Sequence, residues 1–340
     1  LFDTVRGATK NLHSNATTAE ATDANSLLSF DNQGFTIGSD AEINTARNTY
    51  ASWTWKAGGI SPTQTYTVKV VSDSGNKYRF DDFGTSAVTL ELQEGGTYTF
   101  DQSDSSNSGH PLRFSTTSDG THGSGSEYTV GVTTTGTPGS AGAKTVITVA
   151  HGAPTLYYYC SVHSGMGGQA NTTETHGSSN FKGSIQSVVS AAPDAGFSIA
   201  TWTGTDSAGA TVGHGLGAVP DVMIVKKRAG GTAYGWAVWH KDANDNSTDF
   251  LRLDTTAAQS DEDAWSDTNP TSTVLNLGAN NHTNYPSGAT YVGYFFKGIE
   301  GYSKFGSYVG NGNANGTFVY TGFRPAWVMV KRSSAGGGWH

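Results

Sequence analysis

The stretch YYYCSVHSGMGG, residues 157–168, holds the only cysteine of the 340-residue chain. Cys160 is followed three residues later by His163 and three further on by Met166, on a glycine-rich loop. His110 lies upstream in SGHPLRF, at the entry to a candidate strand. One thiolate, two imidazoles and one thioether make a trigonal His2Cys set with a weak axial sulfur, which suits copper. Soft sulfur favours that metal, and a bound ion keeps the thiol deprotonated and protected. The alternative is a ligand set left empty, with Cys160 acting as a small buried hydrophobe. A single cysteine makes no internal disulfide.

Positioning four such groups requires strands on both sides of the loop. Short β-branched and aromatic runs occur at 66–71, 77–80, 88–92, 97–101, 112–115, 128–132, 144–150 and 156–160. Separated by Gly, Ser, Asp and Pro turns, eight such strands fit a Greek-key sandwich over residues 60–170. This segment resembles the cupredoxins, and Cys-x-x-His-x-x-Met is similar to their short, amicyanin-type ligand loop. The resemblance implies His110, Cys160, His163 and Met166 as copper ligands. The sequence departs from the pattern at Pro111, where many cupredoxins carry an Asn that braces the ligand loop.

Composition places the whole chain among all-β proteins. Charged residues are 14% and glycines number 45, while 15 Phe, 15 Tyr and 8 Trp supply several small cores. The Gly, Thr, Ser and Asn between aromatic and β-branched runs provide turns between pleated surfaces. A net charge of −8 argues against a nucleic-acid partner, which needs a basic face. No apolar run reaches membrane-spanning length, so no membrane insertion is expected. No signal peptide is present, and a start at Leu1 reads as a processed or excerpted piece. Nothing matches a nucleophile elbow, a phosphate loop or a catalytic carboxylate pair, and no enzyme is expected.

Internal similarity sets the organisation. ATWTGTDSAGATVGHGLGAVPDVMIVKKR (200–228) matches GSYVGNGNANGTFVYTGFRPAWVMVKR (306–332), with Pro220 against Pro325, an offset of 105. NTYASWTWKAGG (48–59) matches ATYVGYFFKGIEG (289–301), so Tyr50 corresponds to Tyr291 and Lys56 to Lys297. FTIGSD (35–40) matches LNLGAN (275–280), Asn15 with its Thr-Thr-Ala matches Asp254 with its own, and Trp339-His340 is set against Trp239-His240. Residues 1–59 are then the back half of a unit, 171–195 a linker, 196–301 a complete unit, and 302–340 the front half of another. Each half requires completion by a further copy, head to tail, or by the continuing chain, because half a β-unit exposes strand edges and an apolar face.

These repeats resemble those of virion structural proteins of marine tailed phages, described mostly as tail-fibre-like, over residues 1–59 and 196–340. The resemblance implies lectin-like β-sandwiches and an extracellular or virion-surface location. The expected whole is thus all-β: tandem β-sandwich (lectin-like) repeats with an inserted Greek-key, cupredoxin-like sandwich, serving as a structural fibre protein. The alternatives are a copper electron-transfer protein, or an adhesin for host-surface glycans. Trp202, Trp236, Trp239, Trp265 and Trp327 would stack on sugars if exposed, but read better as core. His122, His151, His176, His214 and His282 read as solvated loop residues. DANDNSTD (242–249) reads as Asx turns rather than a calcium loop.

Overall fold

The structure is a computed structural model, and it describes residues 1–59, 62–172, 177–243 and 249–340. The chain is an all-β sandwich protein. It divides into two compact bodies: residues 58–190, and a discontinuous body made of 1–57 with 191–340. Among the described residues, no helix is long and apolar enough to cross a membrane.

Residues 58–190 form a two-sheet sandwich. One sheet runs in the order Val132–Thr135, Lys144–Thr148, Thr97–Asp101, Thr63–Ser72, Asn76–Phe80; the other in the order Leu90–Glu91, Gly168–Asn171, Leu156–Cys160, Leu112–Ser115. Most pairs are antiparallel, but Thr63–Thr67 runs parallel to Thr97–Asp101, and Ala170–Asn171 parallel to Leu90–Glu91. Alternation along each strand sends Tyr66, Val68, Tyr78, Phe80, Tyr98 and Phe100 inward from the first sheet. Leu112, Phe114, Leu156 and Tyr158 meet them from the second. These aromatics lock in edge-on and tilted pairs, with Phe80 at 5.2 Å from Tyr158 and Phe100 at 5.4 Å from Phe114.

The expected end of this sandwich at residue 170, followed by a linker, is corrected. Ser178–Asn180 pairs with Ser187–Ala192, and Phe181 is buried in the same core as Tyr66 and Phe80. The hydroxyls of Tyr66 and Tyr98 bond Ser179 O and Ser178 Oγ. The polar stretch that reads as a linker is therefore held by buried phenols needing partners.

In the second body, the complete repeat is an antiparallel sheet ordered Phe197–Thr203, Thr290–Phe296, Val222–Ala229, Ala237–His240, Asp249–Arg252, Ser260–Asp261. Ala210–Gly213 pairs separately with Val274–Leu277. Thr290–Phe296 is central and buried along nearly its whole length, which explains its unbroken apolar run. Val222–Ala229 is likewise covered on both faces, so even Lys226 and Lys227 are buried. Trp202, Trp236, Trp239 and Trp265 are core residues, while Trp327 is exposed.

Residues 1–22 pack against this repeat through a buried polar network. Arg6 bonds Asp3, Glu20 and the hydroxyl of Tyr294; Tyr294 donates to Asp3 at 2.6 Å; and Glu20 pairs with Arg228 at 2.8 Å. Next to it, Lys226 Nζ donates to Thr17 O (2.9 Å) and lies over the Trp236 ring, whose Nε1 donates to His13 O (2.9 Å). The same contacts recur one repeat later. Lys331 Nζ donates to Thr255 O (3.2 Å) and lies over the Trp339 ring, whose Nε1 donates to Arg252 O (2.9 Å). Backbone bonds repeat too: Glu20 N to Arg228 O, and Gln259 N to Ser333 O, both 2.9 Å.

Each back half is thus stapled onto the front half that follows it. Lys331 bridges to Trp339 as Lys226 lies beside Trp236, so Trp339 corresponds to Trp236 and not to the expected Trp239. Beyond this staple, residues 302–330 carry no strand. Most of DANDNSTD lies outside the described residues.

Candidate metal centre

The proposed ligands come from two neighbouring strands and the loop after one of them. Leu112–Ser115 and Leu156–Cys160 are antiparallel partners, with Leu112 opposite Cys160. His110 enters the first strand and Cys160 ends the second, so the pairing brings residues 50 apart in sequence side by side. The chain then turns through Gly165, at φ 72°, and delivers His163 and Met166 before pairing again from Gly168. Gly167 permits this return, since a Cβ there would lie 1.7 Å from the Tyr158 carbonyl oxygen.

The three strong donors converge. His110 Nδ1 is 3.9 Å and His163 Nδ1 3.8 Å from Cys160 Sγ, and the two imidazole centroids are 4.6 Å apart. Bonds of about 2.0 Å to nitrogen and 2.3 Å to sulfur, opened by about 120°, separate those atoms by about 3.7 Å. The observed distances fit one ion in their midst. Among the described residues, His110, Cys160 and His163 are the group of His, Cys, Asp and Glu side chains placed to hold a metal. Met166 is buried with Cys160 in the sandwich core. Cys160 is fully buried, His110 half-buried and His163 exposed, so the site opens to solvent at its imidazole edge.

Burial, together with the neighbouring His163, holds His110 below the ordinary histidine range, leaving it free to ligate. The His163 amide points at Cys160 Sγ from 3.4 Å. Burial, with the Cys160 sulfur beside it, pushes the Tyr78 phenol well up, so it stays a donor.

Residues that carried no sequence signal fix the ligands. The His110 carbonyl accepts from both Tyr78 Oη and Gln102 Nε2 at 2.9 Å, while Gln102 Oε1 accepts the Leu112 amide. His110 N–H donates to Asn107 O, and Asn107 is itself tied to Val68 O. Asp119 clasps the ligand loop, accepting from Ser164 Oγ and the Gly165 amide at 2.5 and 2.8 Å. Lys77 Nζ donates to Gly165 O. Asp119 and Lys77 together hold the loop. A glycine- and serine-rich stretch around Asp119 conceals that role, which only folding reveals.

The other histidines divide. His122 is exposed, with Nε2 3.0 Å from Cys160 O, and His151 is exposed beside Glu94. His214 and His282 are buried, contrary to the solvated reading. Backbone groups satisfy them: Leu216 N–H donates to His214 Nδ1, His214 Nε2 meets Thr271 O, and His282 Nδ1 meets Gly235 O. His176 lies outside the described residues.

Neither a curated protein nor a solved structure matches this chain. A family model described as "Domain of unknown function (DUF7483)" matches residues 1–80 and 170–340 and passes over the segment containing His110, Cys160, His163 and Met166. The chain therefore belongs to the DUF7483 family, and carries its metal-type cluster in the part of the sequence that the family model does not match.

Proposed function

We propose that the chain is a repeat-built structural protein of an extracellular fibre or phage virion, tail-fibre-like, carrying a cupredoxin-like module that holds one copper ion. The observation that carries the structural reading is the duplicated staple, in which two successive repeats are joined by the same Lys–Trp–carbonyl contacts. Units that hold their successors in one geometry build extended objects.

The copper reading is supported by the convergence of His110, Cys160 and His163, with Met166 buried in the same core as Cys160. Copper bound there supplies one-electron redox chemistry. Cys160 would hold the ion as the soft sulfur donor, His110 and His163 through their imidazoles, and Met166 through its thioether. Tyr78, Gln102 and Asp119 orient those ligands. The exposed His163 edge also suits electron exchange with a partner, which favours electron transfer as the second reading. Burial of four of the five tryptophans weighed for sugar stacking weakens the adhesin reading.

The test is Cu(II) added to the purified full chain. One equivalent should give an intense visible thiolate-to-copper band, absent in Cys160→Ser and shifted but retained in Met166→Leu. Stoichiometric uptake unchanged by Cys160→Ser would refute the assignment.

A further inference from the structure

The complete repeat shows how its two halves are meant to meet. Thr290–Phe296 lies between Phe197–Thr203 and Val222–Ala229, paired with both, and Tyr291, Tyr294 and Phe295 are buried there. Residues 49–55 carry the same pattern, with Tyr50 for Tyr291, Trp53 for Tyr294 and Trp55 for Phe296. They form no strand, and Tyr50 and Trp53 are 50% and 62% exposed. The front half at 302–332 matches them: its only bridge is Lys331 to Trp339, and Phe318, Trp327 and Val328 are exposed. Two halves of one interface thus stand open in a chain that also contains the finished interface.

We propose that residues 49–55 of a second copy of this chain enter between residues 302–308 and 327–332 as an antiparallel strand. The register follows the complete repeat. Ile224 faces Tyr294 and Val222 faces Phe296, so Met329 should face Trp53 of the second copy, and Trp327 its Trp55. The occupant is a second copy because residues 49–55 carry the pattern of Thr290–Phe296, while this chain's own residues 1–22 are held on the complete repeat. His13 and Thr17 accept from Trp236 and Lys226. The front half at 331–339 already carries its own staple from 252–255, so what it lacks is the closing strand. The contact is heterologous and propagates, giving a filament or a closed ring.

The proposal rests on the repeat reading above and is independent of copper. Its test is the full chain carrying Trp53→Cys and Met329→Cys in a Cys160→Ser background. Facing residues of an antiparallel pair lie about 4.5–5.5 Å apart at Cα, within disulfide reach. Mild oxidation should give a reducible ladder of dimers, trimers and longer species, whereas either single cysteine should stop at a dimer. A disulfide that runs as monomer, or no ladder, overturns the proposal.

Sedimentation of the unmodified chain provides the second measurement. Its mass should rise with concentration, and Trp53→Asp should weaken association by about tenfold or more. A constant monomer mass overturns the joint. Exchange of the Trp236 and Trp339 indole protons separates the two failures. Protected indoles in a monomer mean that the repeats hold and the joint fails; unprotected indoles mean that the repeat reading itself fails.

Discussion

Truncating Phe181 to alanine asks whether residues 177–190 are part of the sandwich that holds the metal-type cluster. The ring is 3% exposed and sits 5.4 Å from Tyr66, 5.5 Å from Phe83 and 5.8 Å from Phe80. Removing a buried phenyl group costs about 3–5 kcal/mol, from a domain stability of about 5–15 kcal/mol. Two built-in reporters separate the bodies. All eight tryptophans lie outside residues 58–190, so tryptophan fluorescence follows only the other body. The single thiol, Cys160, is fully buried in the sandwich, so its labelling by a thiol reagent follows opening there. In urea chosen so that labelling tracks global opening, Phe181→Ala should speed it by about a hundredfold to a few thousandfold. The tryptophan transition should stay in place. A labelling rate within about threefold of the parent would return 177–190 to the status of a linker.

Two further outcomes follow from side chains described above. Asp119→Ala frees the ligand loop without removing a ligand, so copper affinity should fall about 10- to 100-fold while the visible band keeps its position; unchanged affinity in a competitive titration would remove Asp119 from the site. Burial pulls the Lys226 ammonium down to about 8 against an ordinary value of 10.5, so between those values the unfolded chain binds more protons than the folded one. Stability of the repeat should therefore rise with pH across that window, measured by tryptophan-monitored unfolding. Lys226→Met should flatten the rise, and an unchanged slope would contradict the assignment.

How much of this was legible in the sequence depended on whether the signal was local. Strands at 112–115 and 156–160 lie where their apolar runs and flanking turn residues put them. The expected strand at 128–132 instead begins at Val132, because Gly131 adopts φ 69° and abuts the Thr148 carbonyl, breaking the run. Gly168–Asn171 escaped notice because GQAN has no β-branched residue; its neighbours impose the extended form. The cluster of His110, Cys160 and His163 was readable because the donor types are rare and their spacing short. Gln102, Asn107 and Asp119 were not, since each acts through a backbone atom brought near only by folding. The repeats showed that two halves exist. Which back half grips which front half depends on carbonyls such as Thr17 O and Thr255 O, which any residue carries. His214 and His282 were misjudged for one reason: polar type suggests solvent, but main-chain partners can satisfy a buried polar tip.

The staple has a mechanical consequence. The chain leaves the repeat body at Ala57 and re-enters it at Ala191, and the segment before that excursion is fastened to the segment after it through Arg6–Tyr294, Lys226–Thr17 and Trp236–His13. Tension applied along the repeats is carried across those fastenings and bypasses the loop of chain between them. The sandwich is an insertion in the sequence of the other body, between Ala57 and Ala191. A pull between residues 1–22 and 226–294 would load these fastenings before it loaded the covalent chain between them.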